Sequence, residues 1–199
     1  IRNPPDSGAE GVTYPHLDSR IAETYAAKAS AVNINSLYDS YIRAIRWASD
    51  RIGDSGVIGF VTNAGFLESG SADGLRKCLA DEFSSVYVFH LRGNARTAGE
   101  QRRKEKDNVF GVGSRAPIAI SILVKNPKSA THGQILFHDI GDYLSREEKL
   151  DMINELVSIQ GITDTNGWQT IAPDEHGDWL RQRDEGFSEF ISLGIKEKG

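Results

Sequence analysis

A short apolar run, Val57-Ile58-Gly59-Phe60-Val61, follows directly on a long amphipathic helical pattern and is followed by another. This alternation admits few architectures. A nearly continuous apolar run of five residues reads as a strand buried on both faces, which happens when helices cover a sheet on two sides. The preceding segment, "SLYDSYIRAIRWASDRIGDSG", places Leu37, Tyr41, Ala44, Ile45, Ala48 and Ile52 on one helical face, with Ser36 as its expected N-cap and Gly53 or Gly56 ending it. The following helix, from Ser71, turns Leu75, Cys78, Leu79 and Phe83 inward.

The pattern then changes. "SSVYVFHLRG" reads as a strand, a Gly-rich basic stretch runs from Arg92 to Gly113, and "APIAISILVKN" and "GQILFHDIGDYL" read as two more strands. Ser145 and Glu148 form a capping-box pattern that opens a helix over "SREEKLDMINELVS". A shorter helix is expected from about Asp18 to Ala29, where Leu17, Ile21 and Tyr25 recur every fourth residue. The order predicts an α/β fold whose parallel strands pass into an antiparallel hairpin at one edge, with the basic loop at its mouth. Residues 1–160 are expected to form this unit. Residues 161–199, with Trp168 and Trp179 but little regular pattern, read as an extended linker.

Composition narrows the class. Of 199 residues, 39% are hydrophobic and 26% charged, as in a soluble globular chain. A net charge of −5 means that any affinity for a polyanion must come from local charge. The single cysteine, Cys78, excludes an intrachain disulfide and a cysteine-based zinc cluster, and fits a reducing cytoplasm. No apolar run approaches membrane-spanning length. His90 and His138 lie in strands without partners at metal spacing, and Asp139 and Asp142 read as turn residues, so no metal site is expected.

The chain begins "IRNPPDSGAE", without an initiator Met, and is expected to be a fragment. Two consecutive prolines neither continue a helix nor sit in a central strand. Ile1 and Arg2 read as the end of a strand, and Asn3 then lies at a strand end, where open α/β sheets place ligands. A plain surface turn is the alternative on these residues alone.

Together, Asn3-Pro4-Pro5, "NSLYDSYIRAIRWASDRI", "FVTNAGFLESGSADGLRKCLADEFSSVYVFHLRGNARTAGE" and "ISILVKNP" resemble the methyltransferase region of single-chain restriction-modification enzymes of type I character, the type ISP class. The resemblance covers roughly residues 1–185. It implies a partial Rossmann-like, S-adenosylmethionine-dependent fold and N6-adenine methylation of double-stranded DNA with a flipped adenine, carried out by a cytoplasmic bacterial enzyme. The Asn3 side chain and the Pro4 carbonyl would accept the two N–H bonds of the adenine amine. That favours a tetrahedral nitrogen able to attack a sulfonium methyl. Pro5 would stiffen the turn.

By the same resemblance Phe110, just before a strand, would stack on the extruded base. Arg92, Arg96, Arg102, Arg103, Lys104 and Lys106 against Glu100 and Glu105 give the basic loop a local charge of +4, and the first five are the expected phosphate contacts. One departure stands out: Asp6 follows the prolines where the family carries an aromatic residue. Either base stacking is impaired there or a segment after Pro5 is absent. No Gly-rich strand-to-helix turn for the donor is found, because "GVGS" precedes a strand. The main S-adenosylmethionine motif is therefore expected upstream of Ile1. The rival readings are a methyltransferase for protein glutamine or RNA, and a non-catalytic DNA-binding or scaffolding piece, which Asp6 and the missing donor motif favour. By itself the fragment is expected to be inactive.

Overall fold

The computed structural model describes residues 14–180, so Asn3, Pro4, Pro5 and Asp6 lie outside the described residues. Five strands form one mixed sheet: β1 (Gly56–Asn63), β2 (Ser85–Arg92), β3 (Ile118–Lys125), β4 (Gln134–Asp139) and β5 (Gln169–Ile171). Their order is β1-β3-β2-β4-β5. β3 pairs antiparallel with both β1 and β2, and β4 lies parallel to β2. β1, β2 and β4 therefore run in one direction, and their carboxyl ends, Asn63, Arg92 and Asp139, share one edge of the sheet.

The β2–β3 hairpin departs from its expected place. It is not at an edge: β3 is inserted between β1 and β2, and β4 and β5 extend the sheet beyond them. Sequence order alone could not show this, because β4 crosses over to the far side of β2 instead of pairing with β3.

On one face lie α1 (Pro15–Ile21), α2 (Ser40–Arg51) and α3 (Asp73–Glu82), and on the other α5 (Arg146–Leu156) and α6 (Ile159–Asp164). The first core joins Ile21, Tyr25, Leu37, Ile45, Leu75, Leu79 and Phe83 to Val86, Val88 and Leu123. Burying each large apolar side chain in such a core contributes about 1.5–3 kcal/mol. The second core joins Phe89, Leu91, Val109, Ile118, Ile140 and Ile162.

Three local expectations change. The helix expected over Asp18–Ala29 is α1 followed by a π-helical turn, Ala22–Ala26. Ser36 does not cap α2. It sits in a 3-10 turn, and its hydroxyl meets that of Ser71 at 2.6 Å, while extended Asp39 precedes the helix. β1 is not buried on both faces: Val57 is 66% and Val61 55% exposed. The apolar run is continuous, but among the described residues only one of its faces is covered and only one of its edges is paired. The capping box at Ser145 and Glu148 forms as read, with both reciprocal bonds present.

The segment after α6 packs back on the body. Trp179 is buried and meets Phe66 edge-on, with ring centroids 6.3 Å apart. Asp178 pairs with fully buried Arg76, which also donates to the carbonyls of Phe66 and Ser69, both at 2.8 Å.

Candidate nucleic-acid interface

The carboxyl ends of parallel strands are where open α/β sheets present ligand-binding loops. Here the β2–β3 connection, residues 93–117, occupies that edge. It contains a short helix, α4 (Gly99–Glu105), within the stretch that reads as a plain loop.

Phe110 lies at the tip and is 60% exposed. Its backbone is fixed by Asn108, whose side-chain Oδ1 accepts from the Phe110 amide at 2.9 Å. The Asn108 amide nitrogen donates to the carbonyls of Gly93 (3.1 Å) and Ala116 (2.8 Å), tying the two ends of the loop together. Gly93 has φ +87°, and a Cβ there would come within 2.8 Å of the Asn108 Cα, so the closure requires glycine. After Phe110, Gly111–Gly113 makes a 3-10 turn that runs towards β3, and Val112 is fully exposed.

The basic residues divide into two groups. Arg92 is drawn into the fold: it pairs with Asp139 at 2.7 Å and Asp142 at 2.6 Å. Burial alone would push the Asp139 carboxyl up, but the His90 ring 3.6 Å away and hydrogen bonds from Arg92 and the Gly141 amide hold it well below the usual carboxylate range. Lys104 also faces Asp142, at 3.4 Å. Arg96 is exposed, and Arg103 shares a surface ion pair with Glu100 at 3.1 Å. Arg102 donates to the Lys106 carbonyl. Exposed ion pairs of this kind contribute little and exchange readily for other anions.

Two cations at this edge fall outside the 92–106 stretch. Arg115 and Arg146 line a cleft of about 430 Å³ beside the Phe110 loop, together with Arg102, Lys106 and Asn108. Arg115 lies three residues before β3, and Arg146 opens α5 directly after its Ser145 cap, so local sequence signals for both existed. His138 Nδ1 donates to the Gly167 carbonyl at 2.8 Å, a structural role. Among the described residues no cluster of His, Cys, Asp or Glu could hold a metal ion, and no helix is long and apolar enough to cross a membrane.

The loop is also gripped from beneath. Arg146 Nε donates to the Val109 carbonyl at 3.0 Å. Lys149, fully buried, donates to the carbonyls of Glu105 (3.0 Å) and Asp107 (2.6 Å). Burial pushes the Lys149 ammonium down to about 8, against the opposing pull of Glu105.

A mixed α/β sheet carrying a locked, basic, aromatic-tipped loop at the carboxyl ends of its parallel strands defines a candidate nucleic-acid-binding unit. Comparison with solved structures gives this class its context. The chain is similar to a nuclease-deletion mutant of the type ISP restriction-modification enzyme LlaGI in complex with a DNA substrate mimic, with TM-score 0.85 and 45% identity over 98% of this chain and 15% of that one. It is similar to the ATP-dependent type ISP restriction-modification enzyme LlaBIII bound to DNA, with TM-score 0.87 and 38% identity over 100% of this chain and 13% of that one. It is also similar to DrdV in a DNA complex, with TM-score 0.76 and 34% identity over 87% and 16% of the two chains. The chain is thus homologous to a segment of type ISP restriction-modification enzymes and spans less than a fifth of their length. No protein-family model and no curated protein matches it.

Proposed function

We propose that this chain is the base-holding half of a DNA adenine-N6 methyltransferase within a bacterial, cytoplasmic restriction-modification polypeptide. Residues 1–160 then belong to the methyltransferase domain and the C-terminal residues lead towards target recognition. The observation that carries the reading is Phe110: an exposed aromatic ring on a loop whose backbone is fixed from both ends, set among cations at the ligand edge of the sheet. Homology to enzymes solved with DNA supports the same reading.

In this account Asn3 and the Pro4 carbonyl accept the two N–H bonds of the extruded adenine amine, and Pro5 keeps the turn rigid. Phe110 stacks on the base. Arg96, Arg102, Arg103 and Lys104 face phosphates, while Arg92, engaged with two carboxylates, mainly fixes the loop base. S-adenosylmethionine is the expected donor. Its main motif is placed upstream of Ile1 in this reading, and Gly111 and Gly113 lie in a turn entering a strand and not a helix. The chain's own contribution is therefore on the base side.

DNA binding by the full-length polypeptide, measured at several salt concentrations, separates stacking from phosphate contact. Phe110→Ala should weaken binding to DNA with a mismatched or abasic partner opposite the target adenine by about 1–3 kcal/mol, leaving the salt slope unchanged. Arg102→Ala with Arg103→Ala should weaken binding on all sequences and flatten the slope by up to about two units. A Phe110→Ala variant that shifts the salt slope and keeps the mismatch preference removes the stacking role.

A further inference from the structure

Between α4 and Phe110 the chain reverses through Lys106, which has φ +45° and ψ −116°. A non-glycine residue in that region is strained, and such strain persists only where the surroundings over-determine it. The two carbonyls that flank the reversal, those of Glu105 and Asp107, are the two that Lys149 Nζ holds from α5. A fully buried ammonium is costly unless its donors are used. Here two of its three donors go to backbone groups and none to a carboxylate. Asn108, Val109 and Phe110 follow at once, held by the Asn108 side chain and by Arg146.

We propose that Lys149 is a positioning residue for Phe110: by gripping the carbonyls on either side of Lys106 it fixes the chain reversal that aims the aromatic ring. The proposal rests on the reading that Phe110 meets a base, but its physical core, a lysine clamp on the loop, does not. Glu105 adds to the lock, because its carboxylate accepts from the Asn94 amide at 2.9 Å and from Gln101 Nε2 at 3.0 Å. The clamp therefore joins α5, α4 and the start of the loop. Lys149→Met keeps the volume and the apolar stem and removes all the donors.

The test uses the full-length polypeptide and two readouts. Amide hydrogen exchange over residues 106–116 should accelerate about tenfold or more in Lys149→Met, while β3 exchanges as before. Affinity for DNA mismatched at the target adenine should fall about tenfold in Lys149→Met, and by no more than about twofold when Phe110→Ala is already present, because the lysine acts through the ring. Unchanged exchange over 106–116 overturns the clamp. An equal loss of affinity with and without Phe110 overturns the positioning role and leaves a merely structural lysine. If Phe110→Ala itself does not alter DNA binding, the stacking reading fails, and with it the aim of the clamp, whatever the exchange data show. Should Lys149→Met not fold alone, Lys106→Gly is added to both arms. Glycine relieves the positive-φ strain, and the same acceleration over 106–116 is then read against Lys106→Gly.

Discussion

Lys149 shows how much a single side chain settles here. Its ammonium is buried against two carbonyls, and burial lowers it from 10.5 in the unfolded chain to about 8 in the fold. Between those values the unfolded chain keeps the proton and the fold releases it. The unfolded state then binds more protons, and the residue's contribution to stability rises with pH. Below the lower value both states are protonated and the contribution is flat. The stability of the wild type minus that of Lys149→Met, from urea unfolding at a series of pH values, should therefore be constant below about pH 8 and climb towards pH 10.5. A difference that falls across that window would mean the lysine is stabilised, not penalised, by its site. Little of this is legible locally, because Lys149 sits in "REEKLDMINEL", where lysine reads as solvent-facing. One signal was present: Lys149, Met152, Ile153 and Leu156 share the i, i+3, i+4, i+7 stripe of α5. Asn108 carried no such signal, since its partners Gly93 and Ala116 are brought to it only by the closure of the hairpin.

At the scale of elements, strands and helices were readable because each carries its own apolar pattern, and the α5 cap was readable because Ser145 and Glu148 satisfy each other within one turn. What failed depended on neighbours. β1 reads as doubly buried because its residues are apolar, yet Val57 and Val61 are exposed. The insertion of β3 between β1 and β2 is a choice of partner that no single strand encodes. The π-helical turn at Ala22–Ala26 has a similar origin: α3 approaches it so closely that a Cβ on Gly74 would lie 1.9 Å from the Tyr25 carbonyl oxygen and 2.8 Å from the Ala29 nitrogen. Gly74→Ala must push these segments apart, at a cost of at least about 1–3 kcal/mol. Thermal unfolding should show a clearly lowered Tm, and an unchanged Tm would mean the two helices are not in backbone contact.

At the scale of the whole molecule, the sheet has one face covered by α1–α3, a second covered in part by α5 and α6, and a loop-bearing edge where three parallel strands end. The Arg76–Asp178 pair fastens the last of the described residues to α3. Under the proposed function the chain holds an adenine for methylation, which is tested by transfer of labelled methyl from S-adenosylmethionine to adenine N6 in DNA by the full-length polypeptide carrying Asn3→Ala. Losing one such transition-state contact should lower the rate about a hundred- to a thousandfold, with DNA binding retained. Methylation at close to the wild-type rate would contradict the account and take Asn3 out of the active site.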